Sequence, residues 1–157
     1  MSDRRAVRVI AFRGNQILVM KRNKFGNEYY TLIGGGIDAG EDADQAIVRE
    51  VKEETGLVLT NARLVIIEDS GDPFGIQYIY AAGCSHDEPV LAKDSEEALI
   101  SKMGKNTYTP MWLDIESFKD CRFFSDVLKI SILQGMKTEF AGEIKNIQSN
   151  SKVSYNS

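Results

Sequence analysis

A chain of 157 residues, 43% hydrophobic and 27% charged, is long enough for one domain with a sizeable core and has an ordinary globular composition. Its formal net charge of −4 gives no reason to expect a polymeric nucleic-acid partner. The cysteines Cys84 and Cys121 lack C-x-x-C spacing and His86 is the only histidine, so no zinc site is expected and reduced thiols in a cytoplasmic protein are.

The apolar run after Met1–Arg5 is too short for a signal segment, and no run approaches membrane-spanning length, so no membrane partner is expected. Val7–Phe12 reads as a strand, Gly14-Asn15 as a turn and Ile17–Met20 as the returning strand of a hairpin. The basic residues Lys21, Arg22 and Lys24 follow, then a third strand at Tyr29–Leu32. Ile33–Gly40, rich in glycine, is expected to be loop.

Glu41–Thr55 has helical character, with Glu41, Asp42 and Asp44 in the first turn, where the helix dipole favours negative charge, and Gly56 placed to end it. Strands are expected at Leu57–Leu59, Leu64–Ile67 and Ile76–Ala82, with Gly71–Gly75 as a turn. Ser85–Asn106 is polar and irregular apart from a short helix at Ser95–Ile100. Tyr108–Leu113 returns to strand. Asp114 and Ser125 are placed to cap short helices through Phe118 and Leu133. One domain is expected over residues 1–145, with a frayed polar tail over 146–157. Strands, one central helix, strands and C-terminal helices in that order fit a mixed sheet with helices on its faces, an α+β arrangement rather than strict βαβ alternation.

Within the helix, Glu50, Glu53 and Glu54 stand at i, i+3 and i+4, which places three like charges on one face. The residues Ala43, Ile47, Glu50 and Glu54 form one stripe, apolar in its first half and carboxylate in its second. The acids therefore border the buried side. Partly buried, unpaired carboxylates are costly, so they bind protons, pair with cations or hold a hard metal ion. Arg49 is placed to pair with Glu53 at i+4, but one arginine does not offset three acids. The run Gly34-Gly35-Gly36 before the helix lets the backbone approach a phosphate or offer a carbonyl to a metal. It is neither a P-loop nor a dinucleotide fingerprint.

These residues together resemble the Nudix box, G-x5-E-x7-R-E-U-x-E-E-x-G-U with U a bulky aliphatic. Gly35, Glu41, Arg49, Glu50, Val51, Glu53, Glu54, Gly56 and Leu57 fill every defined position. At lower resolution the likeness spans roughly residues 4–140. The resemblance implies an αβα sandwich around a mixed sheet. It implies hydrolysis of a diphosphate bond in a nucleoside diphosphate linked to a group X, dependent on Mg²⁺ or Mn²⁺. It implies Glu50, Glu54 and Glu53 as metal ligands, with Glu53 also a base. Arg49 would orient Glu53, Glu41 would support the site or hold a further ion, and a Gly34–Gly35 carbonyl is a candidate ligand. One departure is Ile33, where many members carry proline.

An extra acid from a later loop often serves such sites, and Glu97 is the candidate among Asp94, Glu96 and Glu97. Substrate contacts are expected from Arg22 and Lys24 to phosphates, Gly35 along the backbone, and Tyr30 and Tyr78, with Phe74, Tyr80 and Trp112 as further aromatics able to stack a base. The general look is similar to MutT-like members, so a nucleoside triphosphate or oxidised dNTP is the expected substrate. ADP-ribose or a nucleotide sugar is the alternative, since Pro73 falls about where ADP-ribose hydrolases of the family carry a proline. A non-catalytic nucleotide sensor is a second class of reading, disfavoured because all box glutamates are kept. A homodimer is an expectation by family analogy only.

Overall fold

The computed structural model describes residues 3–149. Nine strands and four helices follow in the order β1 (Arg5–Ile10), β2 (Phe12–Arg13), β3 (Gln16–Lys24), β4 (Asn27–Thr31), β5 (Ile33–Gly36), α1 (Ala43–Thr55), β6 (Leu59–Asp69), β7 (Ile76–Cys84), α2 (Glu96–Ser101), β8 (Asn106–Asp114), α3 (Ile115–Asp120), α4 (Asp126–Met136) and β9 (Lys145–Gln148). One sheet runs β5-β1-β7-β6-β9, and a second is built on β3, which pairs with β2, β4 and β8. In the first sheet the β1–β7 and β6–β9 pairs are parallel and the rest antiparallel, so it is mixed, as expected. No helix among the described residues is long and apolar enough to cross a membrane.

Strand alternation divides the core in two. Val7 and Val9 of β1 pack with Ala46, Ile47 and Val51 of α1, while Ile10, Ile66 and Ile79 pack with Phe118, Leu128 and Ile132 of α3 and α4. The first sheet thus carries α1 on one face and the α3–α4 pair on the other, and the second sheet contributes to both clusters, Leu18 and Trp112 to the first and Ile17 and Leu113 to the second.

Several local expectations change. The strand expected at Val7–Phe12 breaks at Ala11: β1 belongs to the first sheet, whereas β2 makes the expected hairpin with β3. Ile33–Gly36 is strand rather than loop, paired with β1 in the register Val7↔Gly35 and Arg8↔Gly34. At Gly34 the backbones come close: a Cβ there, at φ +155°, would stand 1.9 Å from the Val7 carbonyl oxygen. Leu57 and Val58 lie outside any strand, and the two strands expected after α1 are one, β6, with irregular pairing between Thr60 and Ile66. Part of the expected tail, residues 146–148, is strand. Lys145–Gln148 add a parallel edge strand to β6, with Ile147 packed on the second core cluster. The remainder of that tail, residues 150–157, lies outside the described residues.

The helix at the centre of the sequence argument is closely specified. Asp42 caps α1 by accepting from Gln45 N at 2.8 Å, and the Asp42 N–H donates to Gln45 Oε1 at 3.0 Å, a reciprocal capping box. Gly56 ends the helix as expected. Ser95 and Ser125 cap α2 and α4, whereas Asp114 precedes α3 without a side-chain capping bond.

Candidate active site

The expected stripe is present on α1: Ala46, Ile47, Glu50, Val51, Glu54 and Thr55 are buried. Glu50 is 7% exposed and Glu54 3%, so two of the three acids are inside the molecule. The side chain of Glu53 is 45% exposed and stands at the margin. Strand β5 runs against this part of the helix. A Cβ on Gly35 would meet both Glu50 carboxylate oxygens at 2.7 Å, so the space that holds this carboxylate exists because residue 35 has no side chain. The N–H of Gly34 donates to Glu54 Oε1 at 3.3 Å, while Glu54 Oε2 is buried without a hydrogen-bond partner.

Arg49 gathers the other acids. Its Nε and Nη2 donate to the two oxygens of Glu41 at 2.7 and 2.9 Å, a bidentate pair. Its Nη1 reaches Glu50 Oε1 at 3.0 Å and Glu53 Oε2 at 3.2 Å, and Nη2 also reaches the Gly36 carbonyl at 3.1 Å. The arginine therefore holds Glu53, as expected, but its principal partner is Glu41. Its bonds to Glu41 hold that carboxyl at about 2, below the usual range, and raise the guanidinium in turn. The buried acids move the other way. Burial raises Glu50 against the pull of Arg49, with Glu53 and Glu97 adding to the rise. Burial raises Glu54 well above the carboxylate range, opposed by Arg8 and reinforced by Glu50 and Glu97.

A cleft of about 1150 Å³ opens beside these carboxylates. Glu50, Glu53 and Glu54 line it with Gly34, Gly35 and Gly36; Arg49, Glu97, Arg22 and Lys24 line it too. Glu97 enters from α2, whose cap at Ser95 fixes the start of that helix. Glu41 does not line the cleft, and both of its oxygens are taken by Arg49.

Tyr30 and Tyr78 are not among the lining residues: Tyr30 packs on the α3–α4 core cluster and Tyr78 on the α1 cluster. The reason is strand phase. In β4 it is Tyr29 and Thr31 that face the cleft, opposite Arg22 and Met20 of β3. In β7, Tyr78 and Tyr80 share the α1 face, where Tyr80 Oη donates to Asp44 at 2.6 Å, and Gln77 takes the cleft side. Trp112 also lies away from the cleft, donating to the Asp87 carbonyl at 2.9 Å beneath the Arg13 guanidinium. Of the aromatics expected to stack a base, Phe74 lines the cleft.

The fold adds residues that no local pattern marks. Arg8 of β1 projects into the cleft, donating to Gln77 Oε1 at 3.2 Å and to the Leu32 carbonyl at 3.2 Å. Arg4, Glu68, Arg122, Phe124 and Tyr108 also line it. Arg22 stacks over the Tyr108 ring at 3.6 Å and donates to Asn106 Oδ1 at 2.6 Å, with its Nε buried and unpartnered. Strand alternation in β1 gives a weak sign of Arg8, which falls on the face opposite Val7 and Val9; nothing local singles out Arg4, Glu68 or Phe124.

A divalent cation fits this donor set in part. Carboxylate oxygens suit hard cations, and the unpartnered Glu54 oxygen beside the glycine strand is a buried acceptor awaiting a donor or an ion. Among the described residues, however, no three acids converge as a ready-made ligand group, and Arg49 pairs with Glu41, Glu50 and Glu53.

Residues 2–124 match the NUDIX domain family. The chain is similar to the NAD-capped RNA hydrolase NudC of Vibrio cholerae, with 43% identity over 56 residues, 35% of this chain and 21% of that protein. It thus spans about a fifth of that relative's length. Among solved structures it is similar to a MutT NUDIX hydrolase from Burkholderia pseudomallei (TM-score 0.57, 23% identity, covering 74% of this chain and 85% of that one). It is also similar to an ADP-ribose pyrophosphatase from Streptococcus suis (TM-score 0.62, 16% identity, covering 93% and 98%).

Proposed function

The chain belongs to the NUDIX domain family, and from that premise we propose that it hydrolyses a diphosphate bond in a nucleoside diphosphate linked to a group X, with Mg²⁺ or Mn²⁺ as cofactor. The observation that carries this reading is the pair of buried α1 carboxylates, Glu50 and Glu54, set against a glycine strand at the side of a large cleft lined by arginines.

Glu50, Glu54 and Glu53 are the residues that would hold the ion, with Glu54 Oε2 the acceptor free to take it. When bound, the cation neutralises charge on the diphosphate oxygens and makes water a stronger nucleophile. The chain's own residues do the rest. Arg49, anchored by Glu41, orients Glu53 and Glu50. Arg8, Arg22 and Lys24 draw the phosphates into the cleft. Water attacks phosphorus, the bridging P–O bond breaks, and a carboxylate takes the water's proton, either Glu53 or Glu97. Positioning and electrostatics account for most of the rate.

The substrate we propose first is a nucleoside triphosphate or an oxidised dNTP, cleaved to a monophosphate and pyrophosphate. ADP-ribose is the second reading, because Pro73, which falls about where ADP-ribose hydrolases of the family carry a proline, lines the cleft. The test is a panel with Mg²⁺: dNTPs, oxidised dNTPs, ADP-ribose, sugar nucleotides, dinucleoside polyphosphates and NAD-capped RNA. At least one small nucleotide is expected to be cleaved, and excess EDTA is expected to stop it. Cleavage that survives EDTA overturns the metal-dependent reading. Turnover of the capped RNA alone overturns the small-molecule reading.

A further inference from the structure

The cleft has a second built region, away from the carboxylates of α1. Glu68 of β6 is 2% exposed, yet it lines the cleft. It is paired across the strands with Gln77 of β7, which is 6% exposed and lines the cleft too. Ser125 Oγ donates to Glu68 Oε2 at 2.5 Å, and Gln77 Nε2 donates to the Phe74 carbonyl at 2.9 Å. Phe74 and Phe124 meet with ring centroids 5.4 Å apart, and both line the cleft. An acid and an amide side by side are thus joined to an aromatic wall. Arg8 bonds Gln77 and lies on β1, between this region and strand β5, whose Gly34 bonds Glu54. From β5 to β6 is three strand spacings, about 14 Å, a span comparable to a nucleoside carrying its phosphates.

We propose that Glu68 and Gln77 read the base of the nucleotide, with Phe74 and Phe124 as the wall it packs on, and that they select a base whose edge presents two adjacent N–H donors beside a carbonyl, as guanine does. The proposal rests on the reading above that the substrate is a nucleotide. Ser125 fills one of about four lone-pair sites on the carboxylate, so the bond that ties Glu68 to the start of α4 leaves acceptor capacity. Burial of an anion is costly unless donors replace its water. Guanine returns two donors, N1–H and N2–H, whereas adenine offers one amino group beside the N1 lone pair, which repels a carboxylate. Gln77 Oε1 is taken by Arg8, and one Nε2 hydrogen is taken by Phe74. The second Nε2 hydrogen is the donor for the guanine carbonyl and opposes the adenine amino group.

The test uses GMP and AMP, which have no diphosphate bond to cleave, titrated calorimetrically into the full chain. GMP is expected to bind about tenfold or more tightly than AMP, the discrimination a bidentate base contact gives, and Glu68→Gln is expected to remove most of that ratio. Ser125→Ala, which removes both the bond to Glu68 and the cap on Leu128 N of α4, is expected to lower Tm and leave the ratio in place. Gln77→Leu is the second variant and is expected to reduce the ratio by weakening GMP. Equal or tighter AMP binding, no binding of either nucleotide at millimolar concentration, or an unchanged ratio in a folded Glu68→Gln protein overturns the proposal. Hydrolysis of GTP and ATP with Mg²⁺ is measured beside it. Absent hydrolysis with a Glu68-dependent preference for GMP sinks the catalytic reading alone, and hydrolysis without base discrimination sinks the base-reading proposal alone.

Discussion

Glu54 is nearly fully buried in the cleft, with one oxygen bonded to a backbone N–H and the other to nothing. Burial raises it, and Glu50 likewise, above the usual carboxylate value of 4.5. A group raised in the folded state adds stability below its ordinary pKa and loses it as pH rises through the folded value. The metal-free protein is therefore expected to lose stability as pH rises above about 4.5 on account of these two residues. Glu54→Gln is expected to flatten that loss, so that in EDTA the variant melts higher than the parent at neutral pH. Thermal melts across pH check this, and a variant that melts lower at every pH refutes it. Glu41 behaves oppositely: held at about 2, it contributes stability above 4.5 that is lost as pH falls toward 2, and Glu41→Gln is expected to remove that acid limb. In activity the sign reverses for Glu54. Glu53→Gln and Glu54→Gln are each expected to lower kcat by about 10²-fold or more, the loss typical of one electrostatic group at a reacting centre. Full activity in either variant contradicts the assigned roles.

At the scale of elements, the pairing of β5 with β1 and the capping of α1 hold the carboxylates in register with the glycine backbone. Gly34→Ala forces a Cβ into the Val7 carbonyl at 1.9 Å, and the obstacle is backbone that cannot rotate away. The expected cost is about 3 kcal/mol or more, by denaturant unfolding. Gly35→Ala meets a side chain instead, at 2.7 Å from the Glu50 oxygens. It is expected to displace that carboxylate, so it should weaken Mn²⁺ binding by about tenfold or more, as disturbed ligand positioning does elsewhere, with a smaller loss of stability than Gly34→Ala. Asp42→Ala removes the cap and is expected to cost about 1 kcal/mol. Only part of this was legible beforehand. The helix, its cap region and its mixed apolar and acidic stripe could be read because a helix places its own neighbours at i+3 and i+4. The Ile33–Gly36 strand could not, because glycine has low strand propensity and the partner that overrides it, β1, lies more than twenty residues earlier.

At the scale of the molecule, the cleft joins residues from β1, β3, β4, β5, β6, β7, β8, α1, α2 and α4. The box residues are contiguous in sequence, whereas Arg8, Glu68 and Gln77 are brought to one sheet face by the order β1-β7-β6. Strand phase decides which neighbour enters: Tyr29 rather than Tyr30, and Gln77 rather than Tyr78. A period of two turns a one-residue difference into the opposite face, and phase is settled by pairing partners that no local window contains. Local sequence by itself determined the carboxylate helix, the glycine run before it and the family they mark, because helical periodicity and capping act over a few residues. Tertiary structure alone decided that Arg49 is bound chiefly to Glu41, that the glycines form a strand, and that a buried acid and amide from β6 and β7 line the same cleft as that helix, because these depend on long-range pairing and on the exclusion of water it brings.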